Sequence, residues 1–105
     1  MNNVTLIGRL TKAPQTSQPN DTERSFFTLA INRGPDIADF IPVVCFAGTA
    51  RTVGDHLTKG SRVAVEGHLR SSSYERDGET IYALEVVARS VTFLDPRPAE
   101  VPSPS

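Results

Sequence analysis

One helical stretch interrupts a chain that otherwise alternates with a period of two, and that interruption limits the folds open to it. In GTARTVGDHLTKG (48–60), Ala50, Val53 and Leu57 recur at helical spacing. Thr49 is placed to cap the start, and Gly60 suits the position just past the end. Gly54 weakens this helix, which is therefore expected to be short and held by packing. The other patterned segments read as strands, in which successive side chains point to opposite faces. VTLIGRL (4–10) sets Val4, Leu6, Gly8 and Leu10 against Thr5, Ile7 and Arg9. KAPQTSQPNDTE (12–23) has the composition of a loop. RSFFTLAIN (24–32) is a second strand, broken by RGPDIAD, and a third runs through DFIPVVCF (39–46).

Beyond the helix, SRVAVEGHL (61–69) sets Val63, Val65, Gly67 and Leu69 inward against Arg62, Ala64, Glu66 and His68. Asp77-Gly78 then lies between two strand-like arms, the strongest short-range hairpin signal in the chain. The last strand runs to about Phe93. The order is three strands, one short helix, then two strands. It predicts an all-β fold: a five-stranded Greek-key barrel of the OB type, with the helix between strands 3 and 4. Residues 1–94 are expected to form this domain, and 95–105, rich in Pro and Ser, a loose tail.

The third strand is unusual in having two apolar faces. One carries Ile41, Val43 and Cys45, the other Phe40, Pro42, Val44 and Phe46. A barrel this small has one filled interior, so the second face is available for binding, and OB barrels commonly bind oligonucleotides or oligosaccharides there. Pro42 lacks an N–H, which implies an edge position or a bulge.

Composition narrows the function classes. A chain of 105 residues, 38% hydrophobic and 22% charged, fits one ordinary globular domain. No apolar run approaches the ~20 residues that a spanning helix needs, so no membrane partner is expected. MNNVTLIGRL lacks the pattern of a signal peptide. Cys45 is the only cysteine, which excludes an intrachain disulfide and suits a reducing compartment, here the cytoplasm. Cys45, His56 and His68 are not at metal-site spacing; the first reads as a small core residue and the histidines as surface or packing groups. No metal or cofactor is expected. The carboxylates are scattered rather than clustered, which argues against a nuclease or any other enzyme. The net charge of −1 decides little, because binding follows the local field. Between Arg51 and Arg76 the segment is modestly basic, with Arg51, Lys59, Arg62, Arg70 and Arg76 against Asp55, Glu66 and Glu75.

Taken together, NNVTLIGRLTKAP, FFTLAINR, ADFIPVVCFAGTARTVGDHLTKGSRVAVEGHL and YERDGETIYALEVVARSVTFL resemble the bacterial single-stranded-DNA-binding proteins, in order, from Asn3 to Leu94. The resemblance implies an OB-fold subunit that assembles as a homotetramer, associates with the nucleoid, and binds and protects single-stranded DNA in replication, recombination and repair. It implies three stacking aromatics, at Phe40, Phe46 and Tyr74. Every base has a flat π-face, so an exposed ring binds any base without reading its edges, for roughly 1–3 kcal/mol per base. Phe40 and Phe46 fall on the same strand face, ~20 Å apart at ~3.3 Å per residue. Phe26, Phe27 and Phe93 read instead as core or subunit contacts. Arg9, Lys12, Arg33, Arg51, Arg62, Arg70 and Arg76 are the candidate phosphate contacts, with Arg70 and Arg76 flanking Tyr74.

The chain departs from the family pattern at Pro42, inside the third strand, and in two further respects. Where some members carry an additional stacking tryptophan, the nearest match is Pro35, and the chain has no tryptophan at all. Family members also end in an acidic, hydrophobic tip that docks replication and repair proteins. Here RPAEVPSPS offers only Glu100 and Val101, so docking of that kind is not expected. The alternatives are a related dimeric primosome accessory protein, a specialised paralogue, and an OB module that only contacts proteins.

Overall fold

The computed structural model describes residues 1–18 and 21–95. β1 (Val4–Leu10) keeps the predicted alternation, with Thr5, Ile7 and Arg9 exposed and Gly8 and Leu10 buried. It pairs antiparallel with β5 (Arg62–Arg76), from Val4 opposite Gly67 to Arg9 opposite Arg62. β5 pairs along its whole length with β6 (Glu79–Phe93), and β6 runs parallel to β4 (Ile37–Phe46) at Val43 and Val44. β4 pairs with β3 (Arg24–Gly34), and β3 closes back onto β1 through Arg9 and Leu10. The ring β1–β5–β6–β4–β3 is a closed five-stranded barrel, and with α1 (Ala47–His56) between β4 and β5 it is the expected OB fold.

Inside the barrel Phe27, Leu29, Val43, Cys45, Val63, Val65 and Val86 form one core with Ala50, Val53 and Leu57 from the helix side. Burial pushes the Cys45 thiol up to about 11, so it stays protonated and behaves as the small apolar residue expected. Phe27 belongs to this core, and Phe93 packs against it, 5.8 Å from the ring of His56. Phe26 does not: it lies on the outer face of β3, half-buried, directly opposite Val44.

Three local expectations need correction. The segment 12–23 is not all loop, because Gln15–Ser17 forms a short strand, β2, on the edge of β3. Thr49 is not the helix cap. The helix begins at Ala47, Phe46 is its N-cap without a side-chain hydrogen bond, and the Thr49 hydroxyl donates to the carbonyl of Arg89 at 3.5 Å. Gly60 lies beyond the helix in a turn at φ +86, where its N–H donates to the carbonyl of Leu10.

The Asp77-Gly78 turn is as read, while the break expected over RGPDIAD shrinks to a two-residue turn at Pro35 and Asp36, because β3 runs on to Gly34 and β4 starts at Ile37. Asp77 and Gly78 both have positive φ, 53° and 81°, and join β5 to β6 as a two-residue hairpin. Pro42 resolves to an edge position. The β3–β4 register passes through Thr28 opposite Pro42 without a shift, and the other edge of β4 is paired only at Val43 and Val44. The predicted tail lies outside the described residues, apart from Asp95, whose carboxylate accepts the backbone N–H of Arg62 at 2.9 Å.

Candidate nucleic-acid interface

Residues directly opposite one another in paired strands share a face of the sheet. Arg24, Phe26, Thr28 and Ala30 of β3 lie opposite Phe46, Val44, Pro42 and Phe40 of β4, so all eight side chains are on the outer face. Val44 in turn lies beside Val87 of β6, and Val87 lies opposite His68 of β5. Counting along β5 by twos from His68 gives Arg70, Ser72, Tyr74 and Arg76. The three predicted rings therefore share one continuous surface that runs from β4 across β6 onto the β5–β6 hairpin.

They are not equally open. Phe40 is 63% exposed and Tyr74 50%, while Phe46, at the end of β4, is half-buried. Between the two phenylalanines Val44 is fully buried, flanked on the same face by Phe26 and Val87. The second apolar face of the strand is thus covered at Val44 and open at Phe40.

The seven candidate cations fall in five places. Arg70 lies on the ring face, with its Cζ 5.7 Å from the centre of the Phe46 ring and its Nε donating to Glu85 at 2.8 Å. Arg76 is on the same face of β5 next to the hairpin turn, opposite Glu79 and between Glu75 and Asp77. Arg33 is at the far end of β3, paired with Asp39 at 3.2 Å. Arg51, on α1, is paired with Glu23 at 2.7 Å. Arg9 and Arg62 are neighbours across β1 and β5, and Arg9 donates to the carbonyl of Gly60 at 3.1 Å. Lys12 is exposed just after β1. The ring face therefore gathers Phe40, Phe46, Tyr74, Arg70 and Arg76, while the other five cations are not brought to it by strand register.

Three outward-facing residues escaped the sequence reading. Arg24 stands directly opposite Phe46, a position visible in the alternation of RSFFTLAIN only once the β3–β4 register is known. Arg89 sits where the β5–β6 register shifts, and contacts Asn3 at 3.4 Å. Tyr82 is 77% exposed on the hairpin, on the face opposite Tyr74. Among the described residues no group of three or more His, Cys, Asp or Glu side chains is placed to hold a metal ion, and no helix is long and apolar enough to cross a membrane.

Comparison with known proteins gives the same direction. The chain is 45% identical over 105 residues to Single-stranded DNA-binding protein 2 of Staphylococcus aureus strain Mu50, covering 92% of this chain and 74% of that one. It is also 45% identical over 105 residues to a Single-stranded DNA-binding protein of Bacillus cereus, covering 92% of this chain and 62% of the relative. With that of Clostridium perfringens strain 13 the identity is 44% over 100 residues, covering 90% and 67%. The model of the single-strand binding protein family matches residues 1–94, the whole barrel with its ring-bearing face, and the chain belongs to that family.

Proposed function

We propose that this protein binds single-stranded DNA without sequence preference and protects it in replication, recombination and repair. The observation that carries the reading is the continuous outer face bearing Phe40, Phe46 and Tyr74. Exposed rings offer stacking to any unpaired base, and a duplex, whose bases are already stacked and paired, cannot use them. Cations around the rings add affinity through phosphate contacts. No carboxylate within ion-pair distance of Arg9, Lys12, Arg62 or Arg76 is recorded among the described residues, which leaves their charge available. The protein acts as a binder rather than an enzyme, in the cytoplasm on the nucleoid.

The binding unit is proposed to be a homotetramer. β1 is paired with β5 from Val4 to Arg9, but on its other edge it meets β3 only at Arg9 and Leu10. The open edge along Val4–Gly8 offers unpaired backbone groups to another copy, and Ile7 beside it is 51% exposed. Titrating oligo(dT) and a duplex at several salt concentrations tests the first reading. The expected result is strong preference for the single strand, with a slope of log K against log salt of roughly −0.7 per neutralised phosphate. Equal affinity for duplex, or affinity insensitive to salt, sinks it. Light scattering that shows a stable monomer at micromolar concentration refutes the tetramer.

A further inference from the structure

Arg70 is held in a way that does not suit a simple phosphate contact. Its Nε and Nη2 both donate to one oxygen of Glu85, at 2.8 and 2.5 Å. Glu85 stands directly opposite Arg70 in the β5–β6 register, and its side chain is only 15% exposed against 44% for the arginine. From β5 the guanidinium reaches across β6 toward β4, where its Cζ lies 5.7 Å from the centre of the Phe46 ring. A partly buried carboxylate at this distance neutralises the arginine locally, so a phosphate gains little by approaching it. What the carboxylate supplies instead is orientation: two N–H bonds fix a planar, stackable cation over an aromatic ring.

We infer that Glu85 is a positioning residue. It pins the Arg70 guanidinium at Phe46, so that ring and guanidinium together make one composite platform for a base. This takes Arg70 out of the set of phosphate contacts, and it deepens the proposed single-strand binding, on which it rests. Phe46 is half-buried, and the guanidinium lying over its ring presents its own outer face for a base to stack on.

Two probes separate base from phosphate: oligo(dT), and an abasic phosphodiester strand of the same length. The double variant Arg70→Ala/Glu85→Gln, which leaves no carboxylate unpaired, should weaken oligo(dT) roughly two- to fivefold, the worth of an exposed cation–π contact, and leave abasic binding and the salt slope unchanged. Glu85→Gln frees the arginine, so its salt slope should steepen by about 0.7 while its affinity for oligo(dT) at high salt falls. Glu85→Asp, which keeps the charge, should restore the parent slope. A purely structural role for Glu85 would lower stability without steepening the slope.

The inference is overturned if the double variant Arg70→Ala/Glu85→Gln loses affinity for both strands with a shallower slope, which marks a phosphate contact. It is overturned equally if Glu85→Gln leaves slope and affinity as in the parent. Phe40→Ala and Tyr74→Ala separate the two levels of the argument. If they too bind normally, the ring-face reading itself fails; if they lose affinity while the Arg70 and Glu85 variants do not, only the composite platform falls.

Discussion

β5 and β6 are one hairpin with two lives. In the barrel half, Arg62–His68 and Val86–Phe93, the strands alternate between buried and exposed, and Val63, Val65, Gly67, Val86 and Ala88 are buried. There β5 is paired on both sides, with β1 as well as β6. In the overhanging half, Leu69–Arg76 and Glu79–Glu85, every β5 residue is exposed and the other arm is its one strand partner among the described residues, with Asn2 bonded to the backbone of Leu69 and Arg70 reaching Phe46. The ladder is continuous, so backbone pairing does not distinguish the halves. Packing does. Where the side chains fill a core their identity is set by volume. Where they do not, SSSYERDGET (71–80) is left to solvent and to whatever binds there.

The largest expected effect tests the barrel half. A Cβ built on Gly67 would lie 1.9 Å from the carbonyl oxygen of Val87, at the point where the β5–β6 register shifts. The clash is with backbone, which cannot move aside cheaply. Gly67→Ala should therefore cost about 3 kcal/mol, as overpacking of a tight site does. Ser72→Ala, five residues on but in the overhang, should stay within about 0.5 kcal/mol. Thermal melts of the two variants check this, and similar melting points would abolish the distinction between the halves.

A smaller effect compares rings at the two ends of the face, Phe40 on the barrel and Tyr74 on the overhang. Replacing either by Ala should weaken oligo(dT) binding by about 1–3 kcal/mol. Neither should change the salt slope, since no phosphate contact is lost. Exposure of 63% and 50% implies little change in melting. Removing a core phenylalanine costs about 3–5 kcal/mol of stability, so a Phe40→Ala protein that melts far earlier yet binds normally would place that ring in the fold and not in the site.

The barrel was legible because its signals are local: alternation, a helical interruption, a break at RGPDIAD and a turn at Asp77-Gly78. What escaped depends on register between strands. β2 is three exposed residues whose strand conformation comes from pairing with β3, and nothing in QTS announces it. Alternation placed Phe40 and Phe46 on one face, but it could not show that Val44 between them is covered by neighbours on two other strands. The ion pair Arg51–Glu23 joins residues 28 apart and needs the fold itself. Arg70–Glu85 is different. A two-residue turn at Asp77-Gly78 sets Arg76 opposite Glu79, and six steps back along each arm gives Arg70 opposite Glu85. That contact was written in the hairpin and could have been counted out.

The smallest effect asks whether the overhang supplies charge as well as a ring. Arg76 stands among Glu75, Asp77 and Glu79, so the hairpin tip is locally acidic, and its one cation must work against three carboxylates. It nevertheless shares the face of Tyr74, two residues away on the same strand, where a backbone threading past the ring would run. If it meets a phosphate there, Arg76→Ala should lower the salt slope by about 0.7 with a moderate loss of affinity. Arg51→Ala is the contrasting variant from the barrel. Its guanidinium is on α1 and already bonded to Glu23 at 2.7 Å, so the slope should not change. Slopes measured on oligo(dT) for the two variants and the parent decide it. A slope lowered by Arg51→Ala and untouched by Arg76→Ala would mean that the strand runs past the helix, and that the overhang contributes its ring alone.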